Sequence, residues 1–120
     1  MSSNQRIRKL PLKSWRLRRV PRGFGWVDHR LLKEKLVCQC SSDALALYLI
    51  LVLAADGEGL SFYGDYSLCS LLGMDMQRLE LARENLIYND LIAWEKPLYQ
   101  VLEVLTAQQK EKFYGTAHIN

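Results

Sequence analysis

Eight basic side chains crowd the first 22 residues, Arg6, Arg8, Lys9, Lys13, Arg16, Arg18, Arg19 and Arg22, with no acidic residue among them. Cations at this density neutralise phosphates and release the counterions that a polyanion holds around it. If about six phosphates are neutralised, the logarithm of the affinity falls with the logarithm of salt with a slope near −5. Arginine arms also enter narrow minor grooves, where the negative potential is enhanced. Trp15 stands among these arginines, and an indole face can stack on an unpaired base. Double-stranded DNA, single strands and RNA are therefore all open to the arm. A solvated leader with no partner is the bland alternative.

Other chemistry-bearing residues carry less. Cys38 and Cys40 are separated by one residue, but a structural zinc site needs four placed ligands. No recognised spacing links them to Cys69, His29 or His118, so no metal is expected and Cys69 is read as core packing. Asp28-His29 resembles part of a catalytic pair, yet no serine nucleophile or glycine-rich oxyanion loop accompanies it. A capping aspartate and a surface histidine explain it as well. Gly57, Gly59 and Gly64 lack the lysine followed by serine or threonine of a phosphate-binding loop. No catalytic residue, cofactor or enzymatic activity is expected.

The elements that must position the arm come next. The chain has 120 residues and a formal charge of +3, room for one compact domain and a tail. Removing the arm leaves a body of net charge −5. Three cysteines and no secretory signal imply a reducing, intracellular, cytoplasmic setting. The arginine-rich, acid-free start shares its composition with mitochondrial transit peptides, but Pro11 and Pro21 break the continuous amphipathic helix such a peptide needs. The expected division is a flexible, disordered arm over 1–22, a folded domain over 23–105 and an extension over 106–120.

Within the body, Phe24, Trp26, Val27, Leu31 and Leu32 have the spacing of a helix leading into the domain. Ser41 or Ser42 can cap a helix whose first turn holds Asp43. Twelve consecutive apolar residues follow, Ala44 to Ala55. Twelve helical residues span about 18 Å, short of the 30 Å or so of a bilayer core. A helix apolar all round is expected at the centre of the domain, covered by its neighbours, so no membrane partner is expected. Residues 60–63 read as a short strand, and Asp65 or Ser67 opens a short helix that Gly73 ends. Asp75 caps a third helix reaching about Asn89. With Leu79 at the centre of its inner side, Asp75, Ala82 and Leu86 fall on that same side, and Gln77, Leu81, Glu84 and Tyr88 face the other way. Leu91–Trp94 and Leu98–Leu105 then form a β-hairpin around Glu95-Lys96-Pro97. The fold class is mainly α with a small β-hairpin, an α+β chain.

Residues 60–104, LSFYGDYSLCSLLGMDMQRLELARENLIYNDLIAWEKPLYQVLEV, carry a family resemblance. A leucine pair, a glycine, a polar cap and L-x-x-A-R-x-x-L-I-x-x-x-L-I running into a hairpin resemble the winged helix-turn-helix proteins. These include small bacterial regulators and the DNA-binding modules of plasmid and phage replication initiators. The resemblance implies a winged helix preceded by a flexible basic arm, and a bacterial, phage or plasmid origin. It implies that the helix beginning at Asp75 is the recognition helix and that Glu95–Leu98 is the wing tip. Gln77 and Arg78 are then the candidates for base contact, since glutamine pairs with adenine and arginine with guanine. Lys96 is the candidate for a phosphate.

The implied function is sequence-preferring binding of double-stranded DNA, in transcription regulation or as an accessory factor in the DNA replication of a replicating or mobile element. The third helix and its ends carry Asp75, Glu80, Glu84 and Asp90 against Arg78 and Arg83, a balance that repels phosphate. The alternative is a winged-helix protein-interaction module whose basic arm tethers it to nucleic acid. Leu81, Glu84 and Tyr88 would then mark the protein contact. A homodimer is also open, because so small a domain need not cover every side of the apolar helix.

Overall fold

The structure, a computed structural model, describes residues 8–115. Its order is α1 (Arg30–Lys33), α2 (Ser42–Ala54), β1 (Leu60–Phe62), α3 (Asp65–Leu72), α4 (Met76–Tyr88), β2 (Ile92–Glu95), β3 (Leu98–Val101) and α5 (Ala107–Tyr114). The chain is a mainly helical α+β fold, consistent with a winged helix.

Local chemistry explains most boundaries. Ser41 caps α2 by accepting from the Ala44 amide at 3.0 Å. Gly73 ends α3 in the left-handed region at φ 63°, where glycine avoids the Cβ penalty. Asp75 caps α4, accepting from the Arg78 amide at 2.8 Å. Thr106 and Gln109 form a reciprocal capping box on α5, satisfying backbone donors that the first turn leaves open.

Three expectations need correction. Helix does not extend back through Phe24, Trp26 and Val27, which are exposed. Asp28 accepts from the Arg30 amide at 2.8 Å and fixes the start of α1 there, while Lys35 at φ 59° follows its end. Upstream, a Cβ on Gly25 would lie 3.1 Å from the Val52 carbonyl oxygen, so the segment passes close against the last turns of α2. The apolar α2 is not covered all round. Ala44, Leu47, Tyr48, Leu51 and Val52 form a buried stripe, but Leu49 is 52% and Leu53 61% exposed. The elements packed on it (α3, α4, β1 and β3) all use one face. Finally, β3 stops at Val101 rather than Leu105, because its partners run out. β2 begins at Ile92, opposite Val101, and β1 at Leu60, opposite Gln100.

The hairpin is also part of something larger. β1 pairs antiparallel with β3, giving a three-stranded sheet ordered β1-β3-β2. Its buried face carries Ser61, Tyr99 and Trp94 side by side. The core joins α2, α3 and α4 to this sheet through Leu47, Leu51, Leu68, Leu79, Leu86, Ile92 and Tyr99. Among the described residues, no helix is long and apolar enough to cross a membrane.

The turn from α2 into β1 depends on two residues. The Asp56 carboxylate accepts from the Leu60 and Glu58 amides, both at 2.9 Å, and these bonds hold its pKa below the ordinary range. Gly59, at φ +86°, accepts from the Val101 amide at 2.8 Å, and a Cβ there would lie 2.5 Å from the Val101 carbonyl oxygen. Both the dihedral and the close approach require glycine. Gly59→Ala should cost about 1–3 kcal/mol, read as a lower urea midpoint at unchanged slope.

Candidate nucleic-acid interface

Arg8, Lys9, Lys13, Arg16, Arg18, Arg19 and Arg22 are all exposed; Arg6 lies outside the described residues. A 3-10 turn, Ser14–Arg16, lies in the described part of the arm, closed by the Arg16 amide on the Lys13 carbonyl at 3.0 Å. Among the described residues the ion pairs join Arg30 to Asp28, Arg78 to Asp43 and Arg83 to Asp65. The arm's described cations thus enter none of them. Trp15, at 76% exposure, leaves its ring free to stack.

The segment expected to form the helix-turn-helix is built as α3, a turn at Gly73–Asp75, and α4. Met74 inside the turn is buried, which ties the turn to the core. Gln77 and Arg78 sit exposed in the first turns of α4, and Lys96 is exposed at the hairpin tip. Farther along α4, Glu80, Leu81, Glu84 and Tyr88 are exposed, Leu81 at 60% and Tyr88 at 88%. Asp75, placed on the inner side by its spacing, is exposed as the cap, so the start of α4 sets one carboxylate and Met76 beside Gln77 and Arg78, and the surface beyond is acidic and apolar.

Both arginines of α4 have partners far away in the sequence. Arg78 donates through Nε and Nη2 to the two Asp43 carboxylate oxygens at 2.9 and 2.8 Å. The Arg78 bond holds the Asp43 carboxyl below its ordinary range, and Asp43 raises the guanidinium in turn. In the sequence Asp43 shows only as a charge suited to a helix start, because its spacing from Arg78 gives no local signal.

Arg83 is 4% exposed. Its Nη1 donates to Tyr99 Oη at 2.8 Å and to Asp65 Oδ1 at 2.9 Å. Its guanidinium lies 3.7 Å from the Trp94 ring centroid, and the Trp94 and Tyr99 rings stack at 6.1 Å. Burial pulls the Arg83 pKa down, but the bonds to Tyr99 and Asp65 outweigh it and hold the group above the ordinary arginine value. One cation thereby locks α4 to the start of α3 and to β2 and β3. A sequence signal existed: Arg83 is four residues after Leu79 and three before Leu86, on the buried stripe of α4.

The residues set aside in the sequence separate in space. Asp28 takes up Arg30 in a close pair at 2.7 Å, and His29 is exposed beside it. Cys38 is exposed, while Cys40 and Cys69 are half-buried against the core. Among the described residues no group of three or more His, Cys, Asp or Glu is placed to hold a metal; His118 lies outside them. A cleft between residues 24–30, the end of α2 and residues 101–104 is lined by Asp28, Asp56, Glu58 and Glu103 against Arg30. Its net negative lining disfavours phosphate.

No known protein family and no curated protein matches the sequence. The fold is similar to that of a chain in a solved structure described as "Structure of Rep-DNA complex". The TM-score is 0.52 at 14% identity, covering 81% of this chain and 88% of the other. At that identity the likeness is one of fold, extending well beyond residues 60–104.

Arg83→Ala leaves Asp65 and Tyr99 without their buried donor, and should cost about 3–5 kcal/mol of folding stability. Arg83→Lys should recover only part, because an ammonium cannot reproduce the planar fork stacked on Trp94. Urea titration of the three proteins checks the order.

Proposed function

We propose that this chain is a winged-helix protein that binds double-stranded DNA, with the arm neutralising phosphates and the first turns of α4 entering the major groove. The observation that carries the reading is the arm: seven described cations, exposed and outside every ion pair of the described residues, attached to a helix-turn-helix. Phosphate neutralisation is the main source of affinity in such binding. Recognition helices meet base edges with their N-terminal residues, and Gln77 and Arg78 stand there. The acidic stretch after them restricts contact to that end of α4. Lys96 on the wing is suited to a neighbouring phosphate.

The process proposed is replication, as an accessory factor or regulator of a replicating or mobile element. Two lines support it: the likeness to replication-initiator modules over residues 60–104, and the fold shared with a chain from a Rep-DNA complex. No catalysis is assigned to it. Transcription regulation and a two-fold dimer are compatible extensions, the latter favoured by the open Leu49–Leu53 side of α2.

A second reading rests on Leu81 and Tyr88, exposed on α4 among Glu80 and Glu84. In it this face docks on a protein while the arm holds nucleic acid. Reversing Glu80 and Glu84 to lysine would then abolish capture of that partner and leave DNA affinity unchanged or improved.

The primary test is a gel-shift titration of duplex DNA over a salt series. The full chain should show a log–log slope near −5, corresponding to about six phosphates. Deleting residues 1–22 should flatten that slope and weaken binding to every duplex. Affinity indifferent to salt, or absent for all duplexes, contradicts the reading.

A further inference from the structure

The Arg78–Asp43 pair uses one specific side of the guanidinium. Nε and Nη2 meet the carboxylate, the side-on arrangement. An arginine carries five N–H donors in a rigid fork. Two are engaged here, and the end-on edge formed by Nη1 and the second Nη2 hydrogen remains available. The pair sits at the surface, with Arg78 51% and Asp43 33% exposed at the side chain. Asp43 is itself fixed in the first turn of α2, next to the Ser41 cap. A flexible side chain at the front of α4 is thereby held in one orientation by a second helix.

We infer that Asp43 is a positioning residue that presets Arg78 to read a guanine in the major groove. The inference rests on the DNA-binding reading above and sharpens it to one base. Guanine offers two acceptors on its major-groove edge, O6 and N7, and the end-on fork of an arginine meets both at once. Holding the side chain beforehand removes the ordering cost that binding would otherwise carry. The carboxylate also has a second effect. Its negative charge near the groove opposes the phosphates, so Asp43 lowers affinity for DNA in general while raising discrimination for one base. These two effects have opposite signs, which distinguishes positioning from an ordinary surface ion pair.

The experiment uses the full chain and a duplex that it selects from a random pool. Each guanine of that duplex is replaced in turn by 7-deazaguanine, which lacks the N7 acceptor. One position should weaken the unaltered protein about tenfold. Arg78→Ala should bring that ratio to one. Asp43→Ala should lower the ratio about three- to tenfold, while affinity for unrelated duplex stays level or rises. Asp43→Asn keeps one acceptor oxygen and should give an intermediate ratio, and thermal melting confirms that each variant is folded. A full ratio in Asp43→Ala overturns the inference alone. If no guanine position responds, or Arg78→Ala keeps the ratio, base reading by α4 itself fails.

Discussion

Among the described residues Arg83 is the charge taken out of water, and the geometry of the candidate interface depends on how that charge is satisfied. It bonds to Asp65 at the start of α3 and to Tyr99 on β3, and lies over Trp94 on β2. A buried cation with one partner removed is costly, so the arrangement is enforced as a unit. The α3–α4 pair and the β2–β3 hairpin are consequently set relative to each other by a polar contact with fixed directions. Apolar packing of Leu79, Leu86 and Ile92 supplies burial, but packing alone is less directional than a fork bonded to two oxygens.

This constraint assigns different tasks to the two arginines of α4. Arg83 faces inward and fixes the helix; Arg78 faces outward at its start, restrained by Asp43. With Arg83 buried, the exposed surface of α4 is more acidic than the net charge of the helix. Its basic group is Arg78, which stands with Gln77 near the N-terminus beside the Asp75 and Asp43 carboxylates, and those of Glu80 and Glu84 lie further along. In the proposed function, the arm would supply the general attraction that an acidic body lacks, and affinity and discrimination would reside in separate parts of the chain.

Much of the fold was legible because its signals are local. Gly73 as a left-handed stop, Asp75 and Ser41 as caps, and the hairpin around Lys96-Pro97 each follow from a few neighbouring residues. The outward placement of Gln77, Leu81, Glu84 and Tyr88 followed from period alone. What escaped depends on contacts distant in sequence: the pairing of β1 with β3, the Arg83 cluster and the Asp43–Arg78 pair. The twelve-residue apolar run misled for a related reason. Composition shows that every side of α2 tolerates burial, while the available neighbours bury one side and leave Leu49 and Leu53 open.

In the proposed function the arm and the first turns of α4 engage one duplex together. Titrating isotope-labelled protein with duplex DNA, and following its amide signals by nuclear magnetic resonance, tests this residue by residue. Concerted shifts are expected at residues 8–22, at Gln77 and Arg78 and at Lys96, with the cleft around Asp56 and Glu103 unmoved. Shifts confined to the arm, with the start of α4 silent at saturation, would contradict it.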